Sequence, residues 1–272
     1  MTTDHSTTAG ADLFENGDRA GGLGPRLKAS GVHLGISAVV ASCVLGIVYF
    51  GWYRTPLDSI SGVGVILLMI LMIDVTLGPL LTMVVFDRRK KSLRFDLFCI
   101  ALMQVAALAY GVYTVEAGRP RHLVFVKDRF EVVSRVDLRP EDRLAAVSNS
   151  AADIDWFGPR IVAAEMPTSE EERRKLLFES VLGGRDVQHL PKQYREYGTQ
   201  AARAAGRAKS LHDLRQINPG QTDLLQSAIE RSGLPENRLK FLPIKGPKGD
   251  ATMLIDASTG AIAGMVALQP WR

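Results

Sequence analysis

The sequence predicts a membrane protein in which three N-terminal transmembrane α-helices precede one α+β soluble domain with a C-terminal antiparallel β-meander. Three observations predict it. Apolar runs, each of roughly 20 residues or more, fill most of positions 32–115. Basic residues crowd some of the short connections between those runs and avoid others. Near the end of the chain the pattern changes to short alternating runs separated by turn residues. The mean hydropathy of +0.05 averages two unlike parts. Residues 116–272 have the composition of an ordinary soluble domain and are numerous enough to bury a core of their own.

The first 28 residues carry no periodic pattern and are expected to form a disordered cytoplasmic tail. The spans are expected at about 32–53, 63–86 and 95–115, within a transmembrane region of 29–115. A helix of about 20 residues rises about 30 Å, the thickness of a hydrocarbon core. The first span is too long for a signal-peptide apolar region. Bulky Tyr53, Arg54 and Pro56 follow it where a cleavage site needs small residues, so it reads as an uncleaved anchor. Arg88, Arg89, Lys90, Lys91 and Arg94 fill the second connection, whereas Arg54 is the only basic residue in the first. Arg19, Arg26 and Lys28 precede the first span. Lys and Arg mark cytoplasmic loops, so the N-terminus is expected inside and residues 116–272 outside, in the periplasm of a double-membrane bacterium. Tyr49, Trp52 and Tyr53 mark the outer interface of the first span, and Tyr110 and Tyr113 approach that of the third.

Asp74 is the one acidic residue in the middle of a span. A charged carboxylate there costs roughly 2.5 to 3.5 kcal/mol on insertion scales, so it is expected to face the bundle interior. Pro79 removes a backbone donor and predicts a kink beside it, freeing the carbonyl of Val75. Gln104 lies at a similar depth in the third span, and an Asp74 to Gln104 hydrogen bond is expected. Asp74, Gly78, Pro79 and Gln104 therefore form a candidate intramembrane packing or partner site. Three roles are open to Asp74: tying the helices together, recognising a partner, or passing an ion or proton. The last is weakened by the lack of a second ionisable group at mid-depth. The spacings Gly31 to Gly35 and Ser42 to Gly46 suit helix packing but are common by chance.

In the soluble part, 123–126 and 130–133 read as strands around the polar Lys127-Asp-Arg129. A short helix is expected from Pro140, a strand at 161–166, and a helix from Ser169 to near Gly183 and Gly184, opened by three glutamates. Further helices are expected at 192–217 and 220–232. Three strands near 239–244, 252–256 and 261–266 make the meander. Arg119, Arg121, Arg129 and Phe130 form a candidate membrane-proximal interaction segment for lipid headgroups or a partner, with a plain strand pair as the alternative.

The net charge is +4 and its basic excess sits beside the apolar runs, so no nucleic-acid footprint is read. Both cysteines, Cys43 and Cys99, lie within those runs, which leaves the soluble part without a disulfide or thiolate metal site. The five histidines show no metal-ligand spacing. Ser210, His212 and Asp213 are neighbours in sequence only and read as a helix surface. No catalytic, metal or cofactor site is expected, and the chain is read as a non-enzyme.

Several segments in order resemble the TfpX/TfpZ-type family of type IV pilin accessory proteins. They are Gly31-Val-His-Leu-Gly-Ile-Ser37, Asp74-Val-Thr-Leu-Gly-Pro-Leu-Leu-Thr82, Lys91-Ser-Leu-Arg-Phe-Asp-Leu97, Tyr110-Gly-Val-Tyr-Thr-Val115, Gly118-Arg-Pro120 and Asp128-Arg-Phe-Glu-Val-Val133. The ending adds Asp256, Thr259, Gly260 and Pro270-Trp271. The resemblance covers about 28–135 well and the remainder more loosely. It implies a multi-pass accessory factor of the bacterial inner membrane that assists pilin stability or assembly in type IV pilus biogenesis. The partners it implies are the membrane helix and periplasmic head of a type IV pilin, with the lipid bilayer around them; a homo-oligomer is allowed. The rival readings are a membrane-anchored periplasmic sensor or ligand-binding protein, and a small transporter.

Overall fold

The computed structural model describes residues 22–182 and 185–271. Most of the expected tail (1–21) and the expected helix stop at Gly183 and Gly184 lie outside the described residues. The chain forms two compact units, one of residues 1–46 with 65–114 and one of residues 47–64 with 115–272. The expected boundary at residue 116 is thus incomplete, because the first connection belongs to the second unit.

The first unit is helical. Helix α1 (Leu23–Gly46) continues as a π turn at Ile47–Trp52. It begins at Leu23, so residues 23–28 are helical rather than part of a disordered tail. In the first connection, which belongs to the second unit, the short α2 (Leu57–Ser61) ends on left-handed Gly62. Helix α3 (Val63–Met72) runs through a second π turn (Ile73–Leu77) into α4 (Gly78–Val85), and α5 (Leu93–Gly118) follows. These make three helices of 30, 23 and 26 residues, each long and apolar enough to cross a membrane. They are apolar over most of their surface, and large side chains such as Val84, Phe98 and Met103 point outward.

The second unit is an α/β domain around an eight-stranded mixed sheet. Its strands are β1 (Pro120–Val126), β2 (Arg129–Ser134), β3 (Arg160–Ala164), β4 (Tyr194–Glu196), β5 (Lys209–Ser210), β6 (Leu239–Lys245), β7 (Asp250–Asp256) and β8 (Ile262–Val266). The order is β4-β3-β1-β2-β6-β7-β8, with β5 also paired to β6. The C-terminal meander is antiparallel as expected. Beyond the meander the sheet is mixed, because β1 runs parallel to β3 and β2 parallel to β6, so the domain is α/β where α+β is expected. Those two pairings join the hairpin of β1 and β2 to strands far away in sequence.

Alternate residues of each strand feed different cores, as a period of two requires. Leu123 and Phe125 face a central cluster with Phe130, Leu242, Ile244 and Met253. Val124 and Val126 face the opposite side, under Leu176 of α7 (Glu170–Val181). Phe241 and Leu254 pack under Leu214 and Leu225 of α9 (Leu211–Ile217) and α10 (Thr222–Ser232). Burial on both faces explains why Leu123-Val-Phe-Val126 is an unbroken apolar run. Helix α6 (Pro140–Ala145) lies where the sequence suggests.

The expected helix at 192–217 is broken. It contains β4, a 3-10 turn, α8 (Ala201–Arg207), β5 and α9. Tyr194 and Tyr197 override the local preference: both are buried, and Tyr194 enters the core from a strand paired with β3.

The turn after β7 is tied by Asp256, which accepts hydrogen bonds from Ser258 N at 2.8 Å and Ser258 Oγ at 2.6 Å and pairs with Arg238. These donors hold its carboxyl down at about 2. Gly260 closes the turn with φ +73°, and a Cβ there would fall onto the backbone carbonyl of Ala201. Gly260→Ala is therefore expected to destabilise the second unit by at least about 1 kcal/mol, read as a lower denaturant midpoint in detergent.

Candidate functional site

The first unit carries a polar seam inside apolar helices. Ser30, His33 and Ser37 recur at i, i+3 and i+7 on α1 and so share one face. Ser30 Oγ donates to the carbonyl of Pro79 at 2.9 Å. The ring of His33 shares a 2.6 Å hydrogen bond between Nδ1 and Thr82 Oγ1. Thr82 is buried, as are Gly78 and Pro79. These bonds satisfy polar groups on two apolar helices and fix their relative register.

Asp74 sits in the π turn that precedes Pro79. A π turn pairs each carbonyl with the amide five residues on. For Asp74 that residue is Pro79, which has no N–H. The free carbonyl is thus that of Asp74, one residue earlier than the Val75 carbonyl expected for a regular α-helix. Gln104 supplies the missing donor: its Nε2 reaches the Asp74 carbonyl at 3.3 Å. The expected link between Asp74 and Gln104 therefore exists, but through the backbone of Asp74 and not its carboxyl. Gly78 makes the approach feasible, since a Cβ at that position would fall inside the Gln104 side chain. Asp74, Gly78, Pro79 and Gln104 thus meet at one point.

The Asp74 carboxyl is left over. The residue is only 8% exposed, and its Oδ1 has no hydrogen-bond partner. It borders two hollows. One, of about 190 Å³, is lined by His33, Ser37, Gln104 and Leu108. The other, of about 350 Å³, is lined by Ile66, Ile70, Ile73 and Gly111. A buried acceptor facing apolar space favours a hydrogen-bond donor or a cation delivered there.

The membrane-proximal candidates separate. Phe130 is fully buried in the central core and presents nothing to the surface. Arg119 is 4% exposed. It donates to the carbonyls of Trp156 at 2.8 Å and Asp155 at 3.3 Å, and its guanidinium lies 5.5 Å from the ring centre of Trp52. These contacts consume the group, so Arg119 is no headgroup contact. Arg121 pairs with Glu116 and is largely covered. Arg129 stacks on Trp271 at 5.0 Å and bonds Asp128.

No group of three or more His, Cys, Asp or Glu that could hold a metal occurs among the described residues. Ser210 caps α9 by accepting from Asp213 N, and His212 turns instead to Gln216, so this trio forms no triad.

A model of the fimbrial assembly protein FimB family matches residues 23–62. A fimbrial assembly protein of serogroups C1 and C2 from Dichelobacter nodosus is 34% identical over 113 residues, which span 41% of this chain and 86% of the relative. The chain belongs to the fimbrial assembly protein family. Two further family members from the same organism, of serogroups I and E1, are 29% and 28% identical over 231 residues. Each match spans 84% of this chain and 89% of the relative. No solved structure matches the chain.

The stretch matched by the family model holds the polar face of α1 and the connection that folds into the second unit. Ser30, His33 and Ser37 are the site residues that sequence reasoning missed. Their signal was present, as polar residues spaced along one face of an apolar helix. His33 escapes a search for metal spacing because its partner, Thr82, lies on another helix. In this family member the seam and the glycine contact are one unit. Gly78→Ala is expected to displace Gln104 and lower the thermal midpoint in detergent. Adding Gln104→Ala is expected to relieve the clash, so that the double variant loses less than the sum of the singles.

His122 on β1 gives a pH test of the second unit. Its ring is buried, and burial with Arg121 and Arg160 nearby lowers its pKa from the ordinary 6.5 to about 4. The folded state holds it neutral, so its contribution is complete above about pH 6.5 and falls as pH drops towards 4. This loss amounts to as much as about 3 kcal/mol. Denaturation midpoints of His122→Asn between pH 7 and 4 are expected to fall less steeply than those of the natural chain.

Proposed function

We propose that this protein is a non-enzymatic accessory factor of the bacterial inner membrane that assists the stability or assembly of a type IV pilin. The observation that carries the reading is the extent of the match. Proteins described as fimbrial assembly proteins align over both the apolar helices and most of the second unit. The TfpX/TfpZ-type resemblance is part of the same proposal. Three helices that expose apolar side chains over most of their surface suit lipid better than water, which supports the membrane-spanning reading. The basic second connection supports a cytoplasmic N-terminus and a periplasmic second unit.

A pilin awaiting assembly offers an apolar helix and a folded head. The hollows beside Asp74 suit the helix, with its unpaired Oδ1 as a polar anchor. The head has a candidate surface on α6, the turn that follows it and α7, where Glu179 of α7 lies 3.7 Å from Arg139 at the start of α6. Leu144, Val147, Phe178 and Val181 are exposed there. The C-terminal half of α7 thus exposes Leu177, Phe178 and Val181 although Leu176 beside them is buried.

Loss of the gene is expected to reduce surface pili, and the natural chain to restore them. Photoreactive groups at Ile66, Ile73 and Leu108 are expected to capture pilin in membranes, as are groups at Phe178 and Val181. Capture from Phe178 and Val181 alone would remove the intramembrane half of the proposal. Asp74→Leu is expected to reduce capture at the membrane positions while Asp74→Asn, which keeps hydrogen-bonding capacity, retains most of it.

A further inference from the structure

We propose that the loop 153–158 is an interfacial anchor that rests in the headgroup zone of the bilayer through Trp156 and Phe157. The proposal depends on the membrane-spanning reading above. It begins with the aromatic residues that the sequence assigns to the outer interface. Trp52 and Tyr53 do not face lipid. Trp52 is 5% exposed and Tyr53 is equally covered, its hydroxyl donating to the Val115 carbonyl at 2.8 Å. The exposed aromatics beside them come from about a hundred residues further along the chain. Trp156 and Phe157 are each 64% exposed, next to the exposed Ile154.

Their level is set by contacts within the second unit. The Trp156 ring meets Trp52 edge-on at 6.3 Å between centroids. The Phe157 ring lies against Gly51, and Gly158 N donates to the Gly51 carbonyl at 2.8 Å. Gly51 and Trp52 end the first apolar helix. From Lys28 to Trp52 that helix rises about 36 Å, a hydrocarbon core plus a few ångströms at each side. Trp52 closes that helix at its C-terminal end, and the loop is held against Gly51 and Trp52.

The loop is held, not loose. Arg119 binds the carbonyls of Asp155 and Trp156, and His122 Nε2 bonds the Asp153 carbonyl at 3.3 Å. Gly158 turns the chain at φ +73°. Fixed aromatics with an apolar body and a polar edge suit the headgroup zone. The acids Asp153 and Asp155 flank the loop and are exposed, which limits its depth to that zone and favours zwitterionic lipid over anionic lipid.

The test uses the full chain in phosphatidylcholine vesicles, with Cys43 and Cys99 replaced by Ala. Nitroxides are placed singly through Phe157→Cys and Met103→Cys, and their depth is read from the balance of oxygen and nickel-chelate collisions. The expected result is a deep label at 103 and a headgroup-level label at 157. A deep label at 103 with a fully aqueous one at 157 would overturn the anchor. An aqueous label at 103 would overturn the membrane-spanning reading itself. A second measurement needs no label. Lipids brominated near the headgroup are expected to quench tryptophan emission, and Trp156→Phe to remove at least half of that quenching; unchanged quenching in the variant would overturn the proposal.

Discussion

One missing amide organises the helical unit. Pro79 has no N–H, and the π turn before it directs that deficit to the carbonyl of Asp74. In an apolar setting such a carbonyl needs a donor, and Gln104 of the third helix provides it. Gly78 then has to be a glycine, because the amide passes where its side chain would stand. Ser30 reads the next carbonyl, that of Pro79, from the first helix. The irregular stretch of one helix is thus contacted by side chains from both others, and Gln104 supplies the missing donor. The carboxyl of Asp74 takes no part in this repair, which leaves it available to a partner.

The second unit depends on a different constraint, the burial of the first connection. Leu57 and Ile60 lie in the central core with Phe125, Leu242 and Met253. Lys248 N donates to the Ile60 carbonyl at 2.9 Å, and left-handed Gly62 leaves room for the Lys248 stem. Arg119, Trp52 and Trp156 form a second attachment of the same connection. The two attachments use different surfaces of the domain, and each joins segments more than 60 residues apart.

Much of this was legible in the sequence where a local pattern suffices. Long apolar runs, the glutamates opening α7 and the alternation of the last three strands all report conditions set by neighbouring residues. Asp74 and Gln104 stood out as polar residues in apolar helices. The failures share a cause, which is dependence on distant partners. Strand period reveals β1, β2, β3 and β6 but not that β1 pairs parallel with β3 and β2 with β6. Arg119 looks like a surface cation until the carbonyls 36 and 37 residues away are in place. The carbonyl freed by Pro79 shifts by one residue, from Val75 to Asp74, because a π turn changes the hydrogen-bond count without changing the apolar pattern.

The discontinuity of the second unit has a consequence for biosynthesis. Its core needs residues 47–64 and also β6 and β7, which leave the ribosome about 180 residues later. Everything between, including two apolar helices, is made first. The core around Leu57 and Ile60 is therefore complete only when the C-terminal meander brings Leu242, Ile244 and Met253. Completion of the domain is a late event that reports on the whole chain, and a nascent protein that stalls before β7 carries an unfinished core as its mark.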